Sequence, residues 1–209
     1  MHRLSKVKIE WNYKFAYAIG LLTSDGNLSK DGRHLNMTSK EEEMILMFKN
    51  CLGLKNKIGK KSRGGERDKK YFVLQFGDRN FYDFLVSIGL KQAKSKTLGQ
   101  LDIPRKYFWD FLRGCIDGDG SIGTFKHPES NHPQLRVRLY SASPKFINWI
   151  KKEILTLSNL KGGWIEYDSR GLYKLAFAKE DSIKLLRLIY NPICCLTRKY
   201  KPVEYLFKN

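Results

Sequence analysis

A chain of 209 residues with 39 Lys and Arg against 21 Asp and Glu carries a formal charge of +18, an excess that points to a polyanionic partner. Its 42% hydrophobic content is that of a globular protein, with room for one large domain or two of about 100 residues. No run of ~18 apolar residues exists, which excludes a membrane-spanning helix, and no polybasic stretch lies beside an amphipathic anchor.

In chain order, residues 1–13 form a basic lead-in. Residues 14–24 follow helical periodicity and are apolar almost all round, so that helix is buried on most sides. Ala16 and Gly20 stand one turn apart and leave a small face that another backbone can approach; Gly26 ends the helix. A strand near 27–30, the turn Asp31-Gly32 and a strand at 34–39 form a hairpin. Leu35 and Met37 alternate with His34, Asn36 and Thr38, giving one apolar and one polar face. Ser39 is the expected N-cap of a helix that has Glu41, Glu42 and Glu43 in its first turn and ends near Leu52. Strands follow at 57–62 and 70–77, separated by a Gly64-Gly65 turn, and a helix over 80–87 closes the half.

The second half repeats the order: a helix over 105–117, strands at 121–126 and 134–141, a helix from Ser143-Pro144 to Leu157, strands at 163–167 and 172–177, and a helix over 181–190. The fold class is therefore α+β, with two α-β-β-α-β-β-α halves, each a four-stranded antiparallel sheet with helices on one face. Residues 1–90 form the first repeat, 91–104 a connector, and 105–209 the second repeat. Four cysteines (Cys51, Cys115, Cys194 and Cys195), none in C-x-x-C spacing, read as reduced thiols of an intracellular protein. A prokaryotic cytoplasm or an organelle both suit that reading.

The repeat is sharpest at the ends of the first helix of each half. Aligning Gly20 with Gly114 sets Asp25 on Asp119 and Gly26 on Gly120, an offset of 119 − 25 = 94 residues. If the two buried helices pack on each other through Gly20 and Gly114, both acids emerge at one place. Two adjacent carboxylates repel unless they share a proton or bind a cation. Carboxylates with helix C-terminal carbonyls suit a hard ion such as Mg²⁺, with Mn²⁺ or Ca²⁺ as substitutes. Phosphodiester hydrolysis assisted by metal needs such a centre. An EF-hand is excluded, because a loop starting at Asp117 puts Ile122 where its glycine belongs.

At these residues the chain resembles the LAGLIDADG homing endonucleases of the single-chain, two-repeat type. The matching segments are Ala18-Ile-Gly-Leu-Leu-Thr-Ser-Asp-Gly26 and Leu112-Arg-Gly-Cys-Ile-Asp-Gly-Asp-Gly120. The resemblance implies that the two motif helices join the halves and that the sheets lie in the DNA major groove. It also implies that Asp25 and Asp119 bind the metals, with the carbonyls of Ser24 and Gly118 as added ligands. A lysine near the end of each half would organise water at the scissile phosphates; Lys94 and Lys199 are the first choices, with Lys96 and Lys201 as alternatives. The first motif departs from the family by carrying Thr23-Ser24 where Asp-Ala is usual.

Strand parity then nominates base-reading side chains: His34, Asn36, Thr38, Tyr71 and Gln75 in the first half, and Gln134, Arg136, Arg138, Tyr140 and Lys174 in the second. Lys60, Lys61, Arg63, Lys69, Lys126 and Arg170 are expected at phosphates. The function expected is a monomeric, Mg²⁺-dependent, site-specific endonuclease of double-stranded DNA, cutting a long asymmetric target. The rivals on the same fold are an intron maturase, with host intron RNA as its partner, and a DNA-binding protein that does not cleave.

Overall fold

The computed structural model describes residues 5–62, 68–126, 133–169, 171–190 and 194–208. Helix α1 (Tyr13–Asp25) opens on Asn12, whose side chain accepts from the Phe15 amide. It leads directly into β1 (Gly26–Leu28) and β2 (His34–Ser39), then α2 (Glu42–Cys51), β3 (Gly59–Lys61), β4 (Tyr71–Gly77) and α3 (Arg79–Ser87). Asp78 caps α3 through the Phe81 amide and also binds the Lys6 and Val7 amides, so one carboxylate fastens the lead-in to the first half.

The second half runs α4 (Phe108–Asp119), β5 (Gly120–Lys126), β6 (Pro133–Ser141), α5 (Pro144–Leu157), β7 (Trp164–Tyr167), β8 (Tyr173–Phe177) and α6 (Lys179–Ile189), followed by the short α7 (Thr197–Tyr200). Each half is one antiparallel sheet, ordered β1-β2-β4-β3 and β5-β6-β8-β7. Leu35, Met37, Leu74 and Phe76 in the first sheet, and Leu135, Val137, Leu139 and Leu175 in the second, are buried against the helices. Phe15, Phe48 and Phe81 fill the first core; Phe108, Phe111, Phe146 and Trp149 fill the second. Among the described residues, no helix is long and apolar enough to cross a membrane.

Three local expectations change. The motif helices run through the acids instead of ending before them, because the last-turn carbonyls still find donors in Gly26 and Gly120. Those glycines are not left-handed caps, with φ of −84° and −93°. Their need is steric: a Cβ would lie 2.5 Å from the Leu22 carbonyl oxygen at Gly26, and the same distance from that of Ile116 at Gly120. The N-cap position of α2 is Glu41, and Ser39 instead closes a turn by accepting from the Glu41 amide.

The halves join where α1 meets α4. A Cβ on Gly20 would sit 2.1 Å from the Phe111 carbonyl oxygen, and one on Gly114 would sit 2.2 Å from that of Tyr17. Ala16, one turn before Gly20, is fully buried. Because the obstructing atoms are backbone, Gly20→Ala must spread the helices. The expected cost is about 1–3 kcal/mol, measured as a lowered midpoint in urea.

Candidate active site

The close helix crossing carries both motif ends to one point. The Ser24 hydroxyl lies 3.3 Å from the carbonyl oxygens of both Gly20 and Cys115, bridging the helices. Gly118 of the second motif lies against the first: a Cβ there would be 2.5 Å from the Ser24 Cβ and 2.8 Å from Asp25 Oδ2. Asp119 opens into a cavity of about 260 Å³, lined also by Ser24 from the first half, Lys94 from the connector, and Tyr140 and Ser141 from β6. The site is therefore shared between the halves.

Both carboxyls are held above their ordinary range. Burial raises Asp25, against the opposing pull of Lys94 and Arg198. Asp119 is exposed towards the cavity and walled by protein on its other sides. That desolvation, with the Asp25 charge second, pushes it up to about 6. Asp25 Oδ2 is buried without a hydrogen-bond partner among the described residues. An orphaned, electron-rich oxygen beside a second carboxylate is a donor set that fits a divalent cation. No cluster of three or more His, Cys, Asp or Glu offers another metal site among the described residues.

Two lysines flank the acids in matching ways. Lys94 donates to the Gly26 carbonyl and Lys199 to the Gly120 carbonyl, each the residue after a motif acid. Both are buried, while Lys96 and Lys201 are exposed. Burial pulls both ammonium groups down to about 8. Ala93 stands just before Lys94 with φ of 48°, a left-handed backbone that a non-glycine residue adopts at a cost of about 1 kcal/mol. It turns the connector so that Lys94 points inwards.

The second lysine depends on contacts with no local sequence signal. Asp117, fully buried, accepts from the Tyr17 hydroxyl at 2.7 Å, the Tyr190 hydroxyl at 2.9 Å and the Leu196 amide at 2.8 Å. Burial nevertheless raises its carboxyl. Arg113, also buried, donates to the carbonyls of Ile189 and Cys194. At the start of α7, Glu43 accepts from the Thr197 amide and hydroxyl, and Glu41 pairs with Arg198. Residues of both halves thus fix the segment that carries Lys199. Thr23, opposite Asp117 in the repeat, bonds back to the Ile19 carbonyl and to nothing else among the described residues; Asp serves in the second motif because it anchors a C-terminal segment there. Asp117→Ala leaves three buried donors unpaired and is expected to cost about 3 kcal/mol, measured by chemical denaturation.

The strands place the remaining candidates. His34, Asn36, Thr38, Tyr71 and Gln75 share the face of the first sheet away from the helices. His34 Nδ1 is already bonded to Asp31, and that bond holds the Asp31 carboxyl well below its usual range. Thr38 Oγ1 is buried and unpaired among the described residues. Gln134, Arg136, Arg138, Tyr140 and Lys174 share the matching face of the second sheet. Lys174 is paired with Glu166 at 2.5 Å.

Lys60, expected at phosphates, is exposed at the sheet edge. Its register with Phe72, and its ammonium 5.0 Å from that ring, put it on the helix side of the sheet edge. Lys61 pairs with Tyr71 on the opposite face. Lys69 is exposed before β4, and Lys126 is exposed at the end of β5. Arg63 and Arg170 lie outside the described residues. Asn27, two residues past Asp25 and in register with Asn36, belongs to the first row but escapes sequence reasoning because its strand is only three residues long.

Two pseudo-symmetric sheets joined by a glycine-paired helix crossing, with one acid at each helix end, define the LAGLIDADG fold, as the sequence resemblance implies. The chain is similar to I-DmoI in complex with DNA and Mn, at 19% identity and a TM-score of 0.53, covering 85% of this chain and 96% of that one. It is similar to the I-LtrWI LAGLIDADG homing endonuclease bound to target DNA, at 13% identity and a TM-score of 0.57, covering 93% and 88%. It is also similar to the N-terminal LAGLIDADG domain of DUF199/WhiA, at 14% identity and a TM-score of 0.55, covering 94% and 88%. No protein-family model matches the chain, and no curated protein matches it in sequence.

Proposed function

We propose that this chain is a site-specific endonuclease of double-stranded DNA, acting as a monomer with a divalent cation, Mg²⁺ by preference. The observation that carries the reading is the pair Asp25 and Asp119, drawn to one point with an Asp25 oxygen buried and unpaired among the described residues. Asp25 and Asp119 would hold the ion, with the Ser24 and Gly118 carbonyls beside them. When bound, such an ion supplies Lewis-acid stabilisation of charge at the phosphate and activation of water.

The chain's own residues do the rest. The charge of +18 attracts DNA, and the open faces of both sheets offer side chains to the major groove. Lys94 and Lys199, each a short way from an acid, hold protons that can be exchanged with water near neutral pH. Structures of the same fold solved with DNA and Mn, or with uncleaved DNA and calcium ions, support the choice of substrate and ion. Selection of cleaved sites from a genomic or randomised DNA library in Mg²⁺ tests the proposal. One recurrent long, asymmetric site is expected; recovery of no cut site would overturn it.

A further inference from the structure

The two halves share a backbone plan but not a reading chemistry. In the first sheet, Asn27 pairs with Asn36 and Asn36 with Gln75, so three carboxamides stand side by side across three strands on the open face. The same row of the second sheet begins at the same distance from its acid and reads Ser121, Arg138, Ala176 and Trp164. One step further from the acids, His34 corresponds to Arg136. Asn36 therefore stands where the other half has Arg138, and the first row carries amides and an imidazole where the second carries its two guanidinium groups.

None of the three amide side chains is hydrogen-bonded among the described residues. Arg138 has no ion pair among them either. Arg136 is held between two rings, 4.0 Å from the Phe125 centroid and 5.4 Å from that of Trp164. Trp164 in turn donates to Glu166, which pairs with Lys174. That chain of contacts fixes the Arg136 fork before any ligand arrives, so less side-chain entropy is lost on binding. It also occupies Lys174, leaving Arg136 and Arg138 as the cations of these strands' open face among the described residues.

We infer that the first half reads adenines and the second half reads guanines, so that the target is A·T-biased under β1, β2 and β4 and G·C-biased under β5 and β6. The chemistry is direct: a carboxamide offers a donor and an acceptor side by side, which match adenine N7 and N6, whereas a guanidinium offers two donors, which match guanine O6 and N7. This inference rests on the proposed DNA-endonuclease reading and adds the base chemistry of each half-site.

The test is selection by binding, with the full chain, from a randomised double-stranded library in Ca²⁺. The expected consensus is asymmetric, with A·T pairs on one side and G·C pairs on the other. Asn36→Ala combined with Gln75→Ala should cut discrimination at the A·T positions by about tenfold or more. Arg136→Ala combined with Arg138→Ala should do so at the G·C positions only. Arg138→Gln should exchange guanine for adenine at one position, a gain that loss of structure cannot mimic. All of these side chains lie outside the core, so the variants should melt with the parent. A consensus whose bases respond to the opposite pair of variants overturns the inference and leaves the endonuclease reading standing; enrichment of no sequence overturns both.

Discussion

Asp25→Asn combined with Asp119→Asn is expected to lower DNA cleavage by about 10³-fold or more, the scale set by losing groups that stabilise charge in a transition state. Binding to the same DNA should be unchanged or tighter, because two negative charges beside the phosphates have gone. Without a divalent ion, the double variant should also be more stable than its parent. The sign follows from the direction of the shift. Asp119 titrates at about 6 in the fold against 3.8 as an ordinary carboxyl. Its folded form therefore resists ionisation: the penalty is absent below about pH 4, grows between 4 and 6, and is fully present above 6. Asparagine removes it, so melting at pH 7.5 should rise in the variant, while at pH 4 the two proteins should melt together. Adding Mg²⁺ should reverse the order, since an ion that binds only the folded parent raises the melting point of the parent alone. Cleavage that survives the double substitution would sink the assignment of both acids.

What the sequence revealed followed from how far each signal reaches. Alternation of Leu35 and Met37 with His34, Asn36 and Thr38 is local, so the buried face of β2 could be read without knowing its neighbours. The matched acids were legible because duplication sets a distant residue in register with its copy. A tetrapeptide with two aspartates left open which of them mattered, and Thr23 opposite Asp117 pointed to Asp119. The structure supplies the reason: Asp117 is consumed by two tyrosine hydroxyls and an amide. Contacts such as Glu43 with Thr197, across 154 residues, left no trace in composition or period. The same holds for the stack on Arg136, where strand parity located the guanidinium but not the Phe125 and Trp164 rings that hold it. That Lys94 is buried and Lys96 exposed also needed three dimensions, because it turns on the left-handed backbone at Ala93.

Lys94→Met combined with Lys199→Met is expected to slow cleavage by about 10²-fold or more, within the range of general acid–base contributions, with little loss of DNA affinity because neither ammonium is an exposed phosphate contact. The pH dependence separates a proton-exchanging role from a purely electrostatic one. Both lysines titrate near 8 in the fold, below the ordinary 10.5, because burial disfavours their charge. If the amines relay protons, the single-turnover rate should rise with pH and level off above about 8. Lys94→Arg combined with Lys199→Arg keeps the charge but cannot lose the proton, so it should flatten that rise. An unchanged profile would restrict the lysines to holding the Gly26 and Gly120 carbonyls. Stability gives an independent reading with the opposite sign to that of a paired lysine. The folded state pays for two buried ammonium groups below pH 8 and is relieved between 8 and 10.5. The methionine variant should therefore melt above its parent at pH 7, and the difference should vanish near pH 10.5. A stability gain joined to a loss of rate would place these lysines among residues kept for reaction at the expense of the fold.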